Sequence, residues 1–258
     1  MAVDIHPMAI VKPGAELGEN VSVGPFSIVG ESVRVGDGTR IGSSVLVEGK
    51  TTIGANNTIF HGASLGSVCQ DLKYKGERTF VRIGDNNTIR EYVTVHSAAG
   101  EGESTVVGDS CLLMAYVHVA HNCEIGSNVI IANAVNLAGH VRVFDFASIG
   151  GVTPVHQFVR IGEYCFVGGG SRIPQDVPPY LKVAGNPARP AGLNSVGLRR
   201  RGFTAEQRSA LKKAYAIFYR SGLNVTQALE RIDAELPRTK EIERFVEFIR
   251  GSERGIIR

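Results

Sequence analysis

Residues 107–130 read Val107-Gly-Asp-Ser-Cys-Leu, Leu113-Met-Ala-Tyr-Val-His, Val119-Ala-His-Asn-Cys-Glu and Ile125-Gly-Ser-Asn-Val-Ile. Each group of six opens on an aliphatic residue. The same beat runs on through Ile131, Leu137, Val143, Ile149, Val155, Ile161 and Val167 to Ile173. Upstream it includes Val95, Ile89 and Ile83, then Leu65, Ile59, Ile53 and every sixth residue back to Ile5. Of 29 positions on this register, 26 are Ile, Leu or Val, and only Asp71, Glu77 and Glu101 depart. A period of six matches neither a helix nor an alternating strand. It matches a solenoid with one short flat side per hexapeptide.

The residue after the register position is often glycine, as at Gly18, Gly24, Gly36, Gly108 and Gly162. Glycine tolerates positive φ at a corner and admits close backbone approach. Two residues before the register, side chains are small or medium: Ala15, Val21, Ser27, Val33, Thr39. A prism filled this way has little room for rings, in keeping with 7% aromatic residues and no Trp. The pattern resembles the hexapeptide-repeat family, which implies a left-handed parallel β-helix with three hexapeptides per coil. The register then predicts roughly nine to ten coils, each rising ~4.8 Å.

Two segments interrupt the beat, Gly66 to Arg82 and Ser97 to Val106, and are expected to project as loops. After Ile173-Pro174 comes a Pro-rich connector with Pro178, Pro179, Pro187 and Pro190. Helix signals follow. Thr204 and Gln207 form a capping box, Asn224 caps a second helix that stops before Pro237, and a third runs from about Thr239 to Gly251. The fold class expected is mainly β, with residues 1–190 as the β-helix and 191–258 as a C-terminal helical domain.

Charge is unevenly shared. From Ser195 onward there are 14 Lys/Arg against 8 Asp/Glu, whereas the first 194 residues carry 14 against 17. The basic end, headed by Arg199-Arg200-Arg201, suits an acidic partner. Aromatics for base stacking are not interleaved there, so nucleic acid is not expected. No apolar run approaches a membrane span and the start shows no signal-peptide pattern, which points to a cytoplasmic chain. Cys69, Cys111, Cys123 and Cys165 show no Cys-x-x-Cys spacing and read as small fillers, with no metal and no cofactor called for.

Residues eighteen apart stack in adjacent coils. His121 then lies beneath Gly139 and Gly139 beneath Gln157, while Asn122 lies beneath His140. His118, His121, Asn122, Gly139, His140, His156 and Gln157 thus crowd one corner, four of the seven histidines among them. A neutral imidazole is a competent general base. An open Gly139 N–H beside it would steady an oxyanion. No Ser or Cys with a paired base stands out, so direct acyl transfer fits better than an acyl-enzyme.

Particular motifs sharpen this. Gln70-Asp71-Leu72-Lys73-Tyr74, His118-Val119-Ala120-His121, Leu137-Ala138-Gly139-His140, His156-Gln157-Phe158, Gln175-Asp176-Val177-Pro178-Pro179-Tyr180 and Arg200-Arg201-Gly202-Phe203 occur in this order across the chain. The chain resembles the UDP-N-acetylglucosamine 3-O-acyltransferases of lipid A biosynthesis. That resemblance implies a homotrimer with active sites between subunits, and an acyl carrier protein as donor of an (R)-3-hydroxyacyl group. By matching position it implies His121 as general base and Gly139 as oxyanion donor, with Asp71, Lys73, His118 and His140 on the hexosamine. It puts Gln157, Asn194 and Arg201 at the uridine diphosphate with His156 nearby, Arg199 and Arg200 toward the carrier, and Gly169 at the limit of acyl length, favouring about fourteen carbons. The related pathway N-acyltransferase has an additional N-terminal uridine-binding domain, for which a repeat starting at residue 5 leaves no room.

The departures are Asn122 for a common Asp, Ser97 for Arg, Pro187 for His, and Val196 for an acidic residue. An amide at 122 cannot offset imidazolium charge, which raises an alternative: N-acylation of a 3-amino UDP-sugar, a stronger neutral nucleophile. Clustered histidines on a hexapeptide trimer also occur in zinc-dependent gamma-type carbonic anhydrases, a reading that leaves the basic helices and the Asp71 loop unused. A purely structural solenoid would want polar ladders on a flat face, which the central coils lack.

Overall fold

The computed structural model describes residues 3–258. Met1 and Ala2, part of the segment read above for a signal peptide, lie outside the described residues. Short parallel strands stack into three flat faces of a prism. Asp4–Ile5 begins the first face, Ile10–Val11 the second and Glu16–Leu17 the third, and the chain repeats that order coil after coil. Outside two interruptions within the prism, strands pair with those eighteen residues on, as Val107 with Ile125 and Ile125 with Val143. The register residues point inward: Ile89, Leu113, Val119, Ile131 and Leu137 are fully buried. Each such side chain contributes roughly 1.5–3 kcal/mol.

The interruptions are shorter than the sequence suggests. Ile53 pairs with Ile83, thirty residues on, and Ile83 with Val107, twenty-four on. The chain has therefore looped out twelve residues and then six. Both are multiples of six, which is why the beat resumes on register beyond Asp71, Glu77 and Glu101. Strands Phe80–Ile83 and Ser104–Val107 occupy residues expected in the loops.

The corners also differ from expectation. Gly18, Gly24, Gly36, Gly108 and Gly162 have no positive φ, but a Cβ on any of them would press into the next coil. On Gly24 it would stand 2.6 Å from Gly42 O, and on Gly108 2.7 Å from Gly126 C. Close approach alone requires glycine there. Positive φ falls two residues later, on Asn20, Asn56, Asn86, Asn122 and Asn128, but also on Tyr92, Tyr116, His140, Phe146, Phe158 and Tyr164. That conformation costs about 1–2 kcal/mol for a side-chain-bearing residue. Rings at these positions offset it by stacking between coils: Tyr92 on Tyr116 at 5.2 Å, Phe146 on Tyr164 at 4.8 Å, and His140 on Phe158 at 4.6 Å.

Beyond Ile173 the connector is more ordered than its prolines imply. Leu181–Gly185 joins the first face in parallel with Phe166–Val167 and turns back as Ala188–Leu193. A six-residue helix not expected from sequence, α1 (Ser195–Arg200), follows with Asn194 as N-cap. Then come α2 (Ala205–Arg220), α3 (Val225–Glu235) and α4 (Lys240–Arg250), and capping boxes open α2 and α3. Phe218, Phe245 and Ile249 pack together inside. Two contacts dock α4 on the prism: Arg244 pairs with Glu163 at 2.8 Å, and Arg160, itself paired with Asp176 at 2.9 Å, donates to Phe248 O. Among the described residues no helix is long and apolar enough to cross a membrane. All four cysteines are buried, and burial pushes the Cys111 thiol up to about 11 and Cys123 to about 12, so neither is a nucleophile.

Candidate active site

The corner between the second and third faces carries His121, Asn122, Gly139, His140, Gln157 and Phe158 in three successive coils. Coil spacing lays the His121 ring against Gly139. A Cβ at 139 would stand 2.5 Å from both Cε1 and Nε2 of that ring. Only glycine lets the imidazole lie there.

Among the described residues the amide of Gly139 has no hydrogen-bond acceptor. Along the corner between the third and first faces, by contrast, the equivalent amides are capped from the next coil, whereas in the column of Gly139 the amides of His121 and Gln157 are likewise without an acceptor among the described residues. Glu19, Ala55 and Asp85 donate to Asp37, Asp85 and Asp109, and Ser127 donates to Asp145. The residue above Gly139 is Gln157, which does not cap it. An uncapped amide therefore stands beside an imidazole.

Asn122 orients that imidazole. Its Oδ1 accepts from Ala99 N–H at 2.8 Å and its Nδ2 donates to Ala99 O at 3.0 Å, which fixes which way the amide faces. Oδ1 is then 3.0 Å from His121 Nδ1, so Nδ1 carries the proton and donates. Nε2 is left with its lone pair, 3.9 Å from Asp71 Oδ2. The Lys73 N–H, donating to Asp71 Oδ1 at 2.9 Å, holds that carboxyl below the usual range, with His121 adding to the effect. Asp71 is thus an anion placed to attract the imidazolium as it forms. The negative charge that Asn122 lacks is supplied from the loop instead.

The neighbouring rings are kept neutral. Burial lowers the pKa of His118, with His96 and His121 adding to it, and His118 Nδ1 is 2.8 Å from Thr94 Oγ1. Burial and then His121 lower that of His140, which meets the His121 ring edge-on at 5.2 Å. His96, not singled out from sequence, lies 5.3 Å from His118. The corner opens on a cleft of about 790 Å³ lined by Asn122, His140, Phe158, Arg142 and Arg254.

Within one chain the other expected residues lie elsewhere. Asn194 caps α1 and donates to Tyr164 O at 2.9 Å, and Arg201 lies over the Phe146 ring at 4.8 Å. With Arg200 they line a second cleft, about 600 Å³, at the edge between the third and first faces. Arg199 is exposed in the last turn of α1. Gly169 sits on the remaining edge, after Phe166–Val167, where a Cβ would meet Gly151 O at 3.3 Å. The grouping of Gln157 with Asn194 and Arg201 is therefore not made by a single chain.

This geometry, a prism corner with a base and an uncapped amide, coincides with a family. A model described as UDP N-acetylglucosamine O-acyltransferase, domain 2, matches residues 176–257, and one for bacterial transferase hexapeptides matches 14–49 and 104–139. An acyl-[acyl-carrier-protein]–UDP-N-acetylglucosamine O-acyltransferase of Thiobacillus denitrificans is 48% identical over 98% of this chain and 99% of its own. The chain belongs to the UDP-N-acetylglucosamine O-acyltransferase family. Solved members agree in fold. The UDP-N-acetylglucosamine acyltransferase of Bacteroides fragilis superposes with a TM-score of 0.96 at 44% identity, covering 98% of this chain and 99% of that one. LpxA from Acinetobacter baumannii gives 0.95 at 43%, with the same coverage. Family membership displaces the zinc-hydratase reading.

Proposed function

We propose that this chain transfers an (R)-3-hydroxyacyl group from an acyl carrier protein thioester to the 3-hydroxyl of UDP-N-acetylglucosamine, the opening step of lipid A assembly. The observation that carries the proposal is the His121 ring lying on Gly139 with the 139 amide uncapped. His121 Nε2 takes the hydroxyl proton as the oxygen attacks the thioester carbonyl. The carbonyl oxygen, gaining charge, accepts the Gly139 N–H. Collapse breaks the C–S bond, and the leaving thiolate takes the proton from the imidazolium. Asp71 steadies that cation in between, and the neutral His118 and His140 are suited to hydrogen-bond sugar hydroxyls beside Lys73.

The two clefts lie on different edges, so a complete site needs two subunits. The third face carries ion pairs such as Glu124–Arg142 and Glu16–Arg34, which suit water. The first and second faces present Ile130, Phe166, Ile10 and Ile28. A homotrimer in which the first face of one subunit meets the second face of the next would bring Asn194 and Arg201 to Gln157 and His156. The basic α1 end, with Arg199 and Arg200, would receive the acidic carrier, and Gly169 would leave room for an acyl chain of about fourteen carbons. A cytoplasmic location follows from both substrates.

Asn122 favours a second reading. Its carboxamide orients His121 without adding charge, which suits a 3-amino sugar and amide formation. Purified protein assayed with UDP-N-acetylglucosamine, its 3-amino analogue and a series of hydroxyacyl carrier thioesters tests both readings. Ester formation with a strong preference for the hydroxyl sugar removes the second, and no product from either sugar removes both.

A further inference from the structure

Residues 252–257 cross back over the corner that holds His140 and Phe158, and they are pinned on both sides. Ser252 Oγ donates to Asp176 Oδ2 at 2.8 Å, Asp176 N–H to Gly255 O at 2.9 Å, and Ile257 N–H to Asp176 O at 3.0 Å. Asp176 is itself buried, at 1% exposure, and paired to Arg160. Arg254 is therefore presented from a strap anchored before and after it, already positioned in the cleft that His140 and Asn122 line.

Its partner is unusual. Arg254 Nη2 lies 2.8 Å from His156 Nδ1 and 3.2 Å from His156 Nε2. A guanidinium can only donate, so a ring nitrogen accepts. His156 Nδ1 is also 3.2 Å from Gln157 O, an arrangement completed when Nδ1–H donates there and Nε2 receives Arg254. Either way the contact supplies no negative charge. The other cations of the cleft are neutralised, Arg142 by Glu124 at 3.0 Å and Arg160 by Asp176 at 2.9 Å. Glu103 and Glu253 line the cleft without pairing with Arg254, and no other carboxylate among the described residues does so. Arg254 thus keeps its full charge and most of its five donors, one coil above the uncapped amide and two above the base.

Resting on the acyl-transfer reading, we propose that Arg254 is a substrate-binding residue that grips a phosphoryl group, with His156 holding its guanidinium in place. The planar fork matches two phosphoryl oxygens at once. Two sources bring such a group to this corner: the diphosphate of the sugar nucleotide, and the phosphodiester of the carrier's pantetheine arm. A role limited to anchoring the strap is served by Ser252, Gly255 and Ile257 without Arg254.

The test uses the full-length chain with Arg254→Met, which keeps length and removes charge, and Arg254→Lys, which keeps charge and removes the fork. KM is measured for each substrate separately, and binding of UDP alone and of 4′-phosphopantetheine alone is titrated. Arg254→Met is expected to weaken one of these ligands about tenfold to a hundredfold. Arg254→Lys is expected to lose less, and kcat and the thermal midpoint are expected to stay near wild type. Loss confined to UDP assigns the grip to the sugar nucleotide, and loss confined to 4′-phosphopantetheine assigns it to the carrier. Unchanged binding of both by Arg254→Met overturns the proposal. If the wild-type protein makes no acylated product, the functional reading fails by itself, and the two titrations still decide whether Arg254 holds phosphate.

Discussion

Gly139→Ala isolates the geometry on which catalysis depends. The added methyl carbon would lie 2.5 Å from Cε1 and Nε2 of His121, against about 3.4–4 Å for ordinary contact. The ring must retreat by about 1 Å, and a displacement of that size at a reacting centre can cost about 10²-fold. The methyl also crowds the approach to the 139 amide, and loss of an oxyanion donor alone costs about 10²–10³. Both effects act on kcat, so kcat is expected to fall at least about 10²-fold. The fold is expected to survive, because φ at 139 is ordinary and the clash is with a movable ring rather than backbone. A background lacking the ring separates the two effects. His121→Ala should lower kcat about 10²–10⁴-fold by itself. Adding Gly139→Ala to it should cost less than in wild type, because with no ring to displace only the crowding of the 139 amide remains. Steady-state kinetics on the four proteins, with melting curves as control, measures this. A Gly139→Ala enzyme with near-normal kcat refutes the proposed apposition, and equal penalties in both backgrounds refute the claim that position 139 acts through the imidazole.

Asn122→Ala removes the clamp on Ala99 and the partner of His121 Nδ1, so kcat is expected to fall by about tenfold or more. Limited proteolysis should then find new cleavage within residues 97–103. The lowered pKa values of His118 and His140 mean that the unfolded chain binds protons more readily than the folded one near the ordinary imidazole value. Stability should accordingly fall as pH drops from about 7 through 6.5, and replacing both rings with Gln should flatten the melting temperature across that window. Asp71 is also shifted downward, but for a carboxyl this favours the charged form, so its stabilising contribution should persist until the solution passes below the ordinary carboxylate value of about 3.9 toward the folded one. Ile131→Ala should cost about 2–5 kcal/mol in denaturant unfolding, because Ile131 has no exposed surface and the coils above and below cannot collapse onto the gap. Ile131→Asp should give no folded protein at all by circular dichroism.

Much of the site was legible because the prism makes column neighbours calculable. With eighteen residues per coil, His121 must meet Gly139 and Asn122 must underlie His140, and both arrangements are found. The helices were legible from their caps, Thr204 and Asn224. Loop-borne groups were not legible by spacing. Asp71 breaks the register, and only the path of the twelve-residue loop brings its carboxylate to His121. Arg254 was invisible for the same reason, since its approach to His156 spans 98 residues and depends on how the strap docks on Asp176.

The amino-acid sequence by itself determined a solenoid with one aliphatic residue buried per six-residue side, and its resemblance to the hexapeptide-repeat family, which puts three sides in a coil, implied which residues share a column. Tertiary structure alone decided where the positive φ falls, that the imidazole lies against an uncapped corner amide, which edge receives α1, and which loop charge faces the imidazole. Those outcomes depend on side-chain packing and loop paths between residues far apart in the chain, and a period of six holds no information about either.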